Sequence, residues 1–535
     1  MYRKALTTQR ISQLGAIYLI SFLLHQFASK MSLLSMLGNY PVISTFTLIA
    51  LIYYVDKKLR YYLTLPLPPG PKRLPLVGNL FNAPTGNEVY KIYQGWTTQY
   101  GSDVLYMKLP NTPIVILNSA KACIDLLEKR SHIYSDRPYS VMDELLGMDY
   151  MFALTEYSLQ WRRHRKLFHE YFNSVVSPQY ASEQVKKTRE FLLRSLKPCD
   201  NFSDHVRLTL GSSILKVVYG VDVDDMNHPY IQDIHAGIDC INEAHSPNQF
   251  WIDFFPMFKK IPKWIPGVSF KRFVEENKSR AEIMRRKPYD DVKKAAETSV
   301  VSPSITSTVL GKLQTLSTQV PLEEYIREEE MAINVMGIAY AAGTDTSSAS
   351  AAGFFIALAH RPDIQRKAQA ELDAHLGLSR LIDDSDYNAL PYIRAIALEV
   401  MRFRPAAPLG VPHRVMEDDE YNGYFIPKGS IVFSNIWAAL HDPIDYPDPE
   451  TFHPERFLKG GKLDPTVRDP STLAFGFGRR ICPGRHFTKD INGDFANFDS
   501  IQYAPGIVAS PDRVPCVLKV RSEEAKRLIL EAGDV

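Results

Sequence analysis

The sequence predicts a mainly α-helical domain with a minor β-sheet, an α+β arrangement, and three observations predict it. Apolar residues recur at spacings of three and four through most of 120–377, the pattern of amphipathic helices. Two short stretches break that period: 104–117 alternates apolar and polar residues around Pro110 and Pro113, and 417–432 carries the turn signals Asn422-Gly423 and Pro427-Lys428-Gly429 of a hairpin. No internal repeat or long linker divides the 535 residues. Length alone would allow roughly three or four domains. The undivided body favours one large domain, 80–535, behind an N-terminal region.

The elements follow in order. Two apolar stretches open the chain, 14–24 and 32–55. Crossing a bilayer takes about 20 apolar residues, and only the second stretch has them. Lys57, Lys58 and Arg60 follow it and place its C-terminal side in the cytosol. Residues 1–60 are thus expected to be a membrane anchor region with a single span at 32–55. Two alternatives stay open: a hairpin of both stretches, or a start at Met31. A cleaved signal peptide would need a small-residue cleavage site, and none is clear. Residues 61–79 are proline-rich, with Pro66, Pro68, Pro69, Pro71 and Pro75, and read as a stiff hinge or a plain linker. In the body, 299–308 reads as a Ser/Thr-rich loop around Pro303. Residues 331–360 form a long apolar helix pattern interrupted by Ala341-Ala342-Gly343-Thr344-Asp345-Thr346-Ser347. The segment 256–264 mixes aromatics with lysines, as either a membrane-touching loop or a core-edge loop would.

Composition narrows the function. The chain is 45% hydrophobic and 23% charged with net charge +2, an ordinary globular balance that argues against nucleic acid as the main partner. Its five cysteines, Cys123, Cys199, Cys240, Cys482 and Cys516, are widely spaced and form no C-x-x-C pair. They read as reduced thiols, not as a disulfide framework or a zinc site.

One of them stands apart. In Phe475-Gly-Phe-Gly478-Arg479-Arg480-Ile-Cys482-Pro483-Gly484 the cysteine lies in a glycine-rich, arginine-rich loop. Arg479 and Arg480 are expected to lower the thiol pKa toward the metal-binding thiolate. Gly478 and Gly484 allow tight turns that point N–H groups at the sulfur. The pattern F-x-x-G-x-R-x-C-x-G resembles the haem-thiolate loop of the cytochrome P-450 family, with its fixed positions all matched. The resemblance runs from about Pro66 to the C-terminus. It implies the cytochrome P-450 fold, haem b as cofactor, and Cys482 as axial iron ligand, with Phe475, Gly478, Arg480 and Gly484 shaping the loop.

Further segments resemble the same family. Ala342-Gly343-Thr344-Asp345-Thr346-Ser347 resembles its oxygen-activation motif, which implies that Thr346 hydrogen-bonds the oxygen being activated and that Asp345 relays protons. Trp161-Arg-Arg-His-Arg165 resembles the helix that holds a haem propionate. By the same resemblance His413 and Arg414 match a second propionate position, and Arg480 a third. Glu399 and Arg402 lie at i, i+3 in a largely apolar helix, so the pair is expected to be buried and satisfied. With Arg456 of Pro454-Glu455-Arg456-Phe457 it resembles the family's structural triad. Substrate contacts would fall in 139–152, 250–258, 338–342, 408–411 and 506–508, stretches apolar enough for a hydrophobic substrate.

The chain departs from the family at one place. After Gly484 the family continues with a long helix beneath the haem. Here Arg485-His-Phe-Thr-Lys-Asp-Ile491 runs directly into the turn signal Asn492-Gly493. Some twenty residues or more of helix are therefore expected to be missing. The resemblance implies a eukaryotic microsomal, fungal-like monooxygenase in the endoplasmic reticulum membrane, with its catalytic domain in the cytosol. It would insert one atom of O2 into a hydrophobic small molecule, a secondary metabolite or aromatic xenobiotic. Electrons would come from NADPH through a cytochrome reductase. The alternative is a catalytically impaired haem binder or mis-spliced product, because of the shortened helix.

Overall fold

The computed structural model describes residues 65–533, apart from 76, 111, 198–201, 247–250, 254, 263, 265–267, 378, 488–505 and 512–517. The expected span at 32–55 lies outside the described residues. Among the described residues, no helix is long and apolar enough to cross a membrane. The chain divides into two compact units, Pro68–Asp419 with Ile426–Val535, and Met1–Leu67 with Glu420–Phe425. The larger unit carries the candidate site.

Helix α1 (Val89–Tyr100) precedes β1 (Val104–Leu109) and β2 (Thr112–Leu117), which pair antiparallel. Both faces of these strands are largely buried. Val89 and Tyr93 of α1 pack with Leu105, Met107, Ile114 and Ile116. The helical body follows: α2 (Leu159–Phe172), α3 (Ala181–Ser195), α4 (Phe202–Tyr219), α5 (Pro229–Ala244), α6 (Ser269–Thr298), α7 (Ile305–Ser317), α8 (Leu322–His360), α9 (Pro362–Leu376) and α10 (Pro391–Phe403). Short strands β3 (His413–Arg414), β4 (Asp419–Tyr421), β5 (Tyr424–Ile426) and β6 (Ile431–Ser434) come next. The main sheet has the order β1-β2-β6-β3, with β2 and β6 parallel and β3 antiparallel to β6. Strands β4 and β5 form the hairpin read from the sequence. Asn422 and Gly423 both take positive φ at its turn, 51° and 79°.

The proline-rich segment is not a free spacer from Pro69 onward. Tyr106 N–H donates to the Pro69 carbonyl at 2.9 Å. Fully buried Asn79 clamps Lys108 from both sides: Asn79 N–H donates to the Lys108 carbonyl at 2.6 Å, and Lys108 N–H donates to Asn79 Oδ1 at 2.9 Å.

Helix α8 is the axis of the body. Its 39 residues span about 58 Å at 1.5 Å per residue. Glu323 and Glu324 in its first turn and His360 in its last complement the helix dipole. Pro362 ends it, because the residue before a proline disfavours the helical conformation; Arg361 leaves it at φ −125°, ψ 72°. The polar run 341–347 that interrupts the apolar pattern lies within the continuous helix. Gly343 lies where a Cβ would come within 2.7 Å of Ile214 Cδ1 on α4, and a Cβ at Gly211 would meet Thr344 Cγ2 at 3.4 Å. The small residues thus bring α4 and α8 into close contact. The hydroxyls bond back within the helix, Thr344 to the Tyr340 carbonyl and Thr346 to the Ala342 carbonyl, each at 2.7 Å. The expected loop 299–308 is also shorter. Ser304 caps α7 in a reciprocal capping box with Ser307, so the helix begins at Ile305.

Candidate functional site

The cysteine loop is shaped by its glycines. Gly476 and Gly478 have φ of 75° and 54°, in the left-handed region. A Cβ at Gly478 would also lie 2.4 Å from the Leu127 carbonyl oxygen, so only glycine fits, and its N–H donates to the Glu128 carboxylate. Cys482 N–H closes the loop onto the Phe475 carbonyl at 2.7 Å. The sulfur accepts hydrogen bonds from the backbone N–H groups of Gly484 and Arg485. Burial pushes the Cys482 thiol up, and those N–H groups with the charges of Arg165 and Arg485 only partly offset it. This corrects the expectation that Arg479 and Arg480 activate the sulfur. Arg479 turns to Tyr157, donating to its hydroxyl at 3.2 Å, and Arg480 turns to Trp161 and to the carbonyls of Ser135, Phe152 and Thr155. The thiolate is therefore favoured only when a cation coordinates it, and that binding displaces the thiol proton.

A rim of buried cations lies beside the loop. Arg480 donates to the carbonyls of Ser135 (2.7 Å), Phe152 (3.1 Å) and Thr155 (2.7 Å), with its guanidinium 4.4 Å over the Trp161 ring. Burial lowers its pKa to about 10, against the pull of Asp136. Arg137 donates to the carbonyls of Ala153 (3.0 Å), Val411 and Pro412 (both 2.6 Å). Burial drives its pKa well down, and the nearby Arg480 charge lowers it further. His413 Nδ1 lies 2.6 Å from the Tyr134 carbonyl, with burial and then the Arg137 and Arg480 charges holding the ring neutral. Arg165, four residues after Trp161 on the same face of α2, completes the group, within reach of Arg480 and Cys482. Arg414 is the exception. Strand alternation turns it away from His413, and its guanidinium is held by Asp136 (2.5 Å) and Glu156 (2.7 Å).

Sequence reasoning missed Arg137. Its only signal was an Asp-Arg-Pro run, Asp136-Arg137-Pro138, in an aromatic stretch. Among the described residues, every hydrogen-bond partner of Arg137 and Arg480 is a backbone carbonyl. Buried cations that repel one another and lack a carboxylate of their own suit an anionic ligand.

The facing surface comes from α8. Ala342 and Ser350 are exposed and Thr346 is partly so, one turn apart along a single stripe, in a helix whose flanking residues Ala341, Thr344, Ser347 and Ala349 are buried. Asp345 is half-buried on another side of the helix, toward Asn242 of α5 and Arg207 of α4. Burial pushes its carboxyl up to about 6, against the pull of the Asn242 amide and the Arg207 charge. Nothing in the sequence marked Asn242.

Glu399 and Arg402 are both 0% exposed and paired in two hydrogen bonds, 2.7 and 2.8 Å. Glu399 also accepts from Arg456 Nε at 3.1 Å and from His453 N–H at 2.8 Å. Arg402 and Arg456 spend their remaining donors on the carbonyls of Leu440, Pro447, Asp448, Pro449 and Thr451. This segment leads into the cysteine loop.

Of the expected substrate stretches, 139–152 contains the helix Val141–Leu146, tied to the end of α5 and the turn after it. Asp253 accepts from the N–H groups of Val141 (2.5 Å) and Met142 (3.3 Å), and His245 Nε2 lies 3.2 Å from Asp143. Phe250 and Phe254 lie outside the described residues. In 256–264, Met257 and Trp264 are well exposed. After Gly484 the described residues 485–487 form a turn, with Phe487 against Phe172 and Tyr180; the rest of the expected short helix lies outside the described residues.

Comparison with known proteins assigns the chain to a family. The sequence model of the family described as Cytochrome P450 matches residues 68–489. The chain is 36% identical to cytochrome P450 monooxygenase ple1 of Rhodocybe pseudopiperita, over 91% of this chain and 96% of that protein. It is 40% identical to cytochrome P450 monooxygenase COX2 of Coprinopsis cinerea, over 79% and 80%. It is 37% identical to tryptamine 4-monooxygenase of Psilocybe cyanescens, over 79% and 83%. The alignment with the Rhodocybe protein runs over 512 positions, more than the 91% of this 535-residue chain that takes part in it, as an internal gap on this chain's side requires. The chain belongs to the cytochrome P450 family and is a P450 monooxygenase, an enzyme that binds haem b through a cysteine thiolate. The residues present fit that group: a sulfur with two backbone N–H groups, a cationic rim for carboxylates, and an accessible stripe on α8.

Proposed function

We propose that this cytochrome P450 monooxygenase is a microsomal enzyme that oxygenates a hydrophobic small molecule with electrons delivered from NADPH by a cytochrome reductase. The substrate class is a secondary metabolite or an aromatic xenobiotic, in keeping with fungal relatives, one of which is named for a tryptamine. Residues 32–55 form its single membrane span, with the catalytic body on the cytosolic side of the endoplasmic reticulum. The run of about 20 apolar residues followed by Lys57, Lys58 and Arg60 supports that placement.

The observation that carries the reading is the Cys482 sulfur with the backbone N–H groups of Gly484 and Arg485 acting on it, in a loop whose Arg480, like Arg137, hydrogen-bonds backbone carbonyls. Haem b, when bound, supplies the activation of O2 that no side chain can perform. Cys482 would hold its iron through the thiolate, with Phe475, Gly478 and Gly484 shaping the loop. Trp161, Arg165, His413, Arg480 and Arg137 would hold its two carboxylates, and Arg414 fixes Asp136 behind them. Thr346 carries the hydroxyl proton that can be offered to the reacting oxygen, once its bond to the Ala342 carbonyl is given up. Asp345 is poised to hold or release a proton near neutrality. Glu399, Arg402 and Arg456 perform no chemistry and support the loop.

The body after Gly484 is shorter than in the relatives. The family match ending at residue 489 supports this. The rival reading, an impaired haem binder, rests on that segment alone. A reduced, carbon-monoxide-bound absorption spectrum of the full chain tests the assignment. A thiolate-type Soret band is expected; a protein without a haem signal would overturn it.

A further inference from the structure

The turn that follows the cysteine loop is held from outside by α3. Its own bonds fold it back on Cys482. Arg485 Nη1 donates to the Cys482 carbonyl at 3.2 Å, and Phe487 N–H donates to the Gly484 carbonyl at 2.9 Å. The backbone of 484 lies against the sulfur, since a Cβ there would stand 3.9 Å from Sγ. The Phe487 carbonyl then accepts from Gln184 Nε2 of α3 at 3.0 Å. A continuing α-helix would bind such a carbonyl from the N–H four residues on; Gln184 binds it from a different helix. The Phe487 ring is held too, edge-on to Phe172 of α2 at 5.9 Å and against Tyr180, just ahead of α3, at 6.1 Å. Helix α3 is a firm anchor. Buried Lys187, one turn after Gln184, pairs with Glu190 at 2.9 Å and with Asp222 at 3.2 Å. Phe191 packs on Phe202 of α4 and Phe355 of α8.

We propose that Gln184 is a positioning residue for the cysteine ligand: by holding the Phe487 carbonyl it fixes the turn 484–487, and with it the Gly484 and Arg485 N–H groups against the Cys482 sulfur. The Gly484 carbonyl and the Arg485 N–H belong to one rigid peptide plane. The bond from Phe487 N–H to that carbonyl therefore aims the Arg485 N–H. Phe487 can aim it only while its own place is kept, by Gln184 on its carbonyl and by two rings on its side chain. Donors on a thiolate draw electron density from it, and such donors tune the potential of the metal it binds. Without the clamp the donors move off, the sulfur gives more charge to the iron, and the ferric state gains over the ferrous. The inference rests on the reading of Cys482 as the iron ligand.

The experiment uses the full-length haem-loaded protein and two readouts other than turnover. One is the haem reduction potential; the other is the iron–sulfur stretching band in resonance Raman spectra of the ferric protein. Gln184→Met keeps the length of the side chain and loses its donor. It is expected to favour the ferric over the ferrous state by about tenfold, the scale of a hydrogen bond to a charged group, and to raise the stretching frequency, with haem content unchanged. Phe487→Leu keeps the carbonyl and thins the ring packing. It should move both readouts the same way by less, and it serves if the methionine variant does not fold. Thr188→Val is the control, because that hydroxyl donates to the Gln184 carbonyl within α3, at 2.8 Å, and should leave both readouts in place. Potential and band unmoved in haem-loaded Gln184→Met would overturn the proposal while leaving Cys482 as the ligand. Haem lost from both variants would also overturn it, since the contact would then hold the fold and not the donors. A wild-type protein without an iron–sulfur band would overturn the ligand reading, and the proposal with it.

Discussion

Two buried charge clusters lie within one loop of each other, and they are built on opposite plans. Around Glu399 the account closes: one carboxylate meets two arginines and a backbone N–H, and the remaining guanidinium donors find carbonyls. Around Arg480 it stays open. Arg137, Arg165 and Arg480 crowd together beside neutral His413, while the nearest carboxylate, Asp136, is already held by Arg414. A closed buried network fixes a shape. An open one carries a charge deficit that only an added anion can settle. The difference separates a structural site from a binding site without reference to any ligand.

The largest effect is expected at the sulfur. Cys482→Ser should abolish the thiolate-type Soret band and all monooxygenation, because no other thiol lies in the loop. Substrate turnover persisting in that variant would refute the loop's role. Next comes the closed cluster. Glu399→Ala leaves two buried arginines without their anion and should cost about 3–5 kcal/mol, read as a lowered denaturation midpoint. Since net stability is typically only ~5–15 kcal/mol, most of the variant is expected to be lost as folded, haem-binding protein. The open cluster should respond less. Arg137→Met removes one member of a repelling set and strands carbonyls at about 1–3 kcal/mol, but it should speed haem release several-fold; equal haem retention would show that Arg137 holds no haem carboxylate.

The smallest effect is one of pH. His413 has its folded pKa held well below the ordinary histidine value by burial and the Arg137 and Arg480 charges. Its contribution to stability is therefore full above about 6.5, the ordinary value, and is lost as pH falls below it, where the unfolded chain takes a proton that the folded one refuses. His413→Asn should flatten the acid side of the stability profile. Bound haem carboxylates should flatten it too, by offsetting the arginine charges. An identical acid slope with and without haem would mean that no anion reaches His413.

Much of this was legible in the chain. The helical period, the 104–117 strands and the Asn422-Gly423 hairpin follow from spacing and turn chemistry, which are local. Cys482 stood out because glycine, arginine and cysteine at those offsets have few other uses. The errors share one cause, which is that direction is not local. The 341–347 segment interrupts the apolar pattern of one long helix, but only the packing shows why α8 tolerates it: Ile214 of α4 needs the space at Gly343, and the hydroxyls find carbonyls one turn back. Arg479 and Arg480 are neighbours of Cys482 in sequence, but the charges that act on its sulfur are those of Arg165 and Arg485.

The sequence by itself determined the element types, the identity of the sulfur loop and the residues able to support it, because these depend on composition and on short, fixed spacings. The tertiary structure decided which charges are paired. It closed Glu399 with arginines 3 and 57 residues away, turned Arg414 toward Asp136 and away from His413, brought Arg137 into the rim, and turned Asp345 toward Asn242 and Arg207. Pairing a buried charge is a matter of desolvation and distance across elements remote in the chain, and neither quantity exists until the helices have packed.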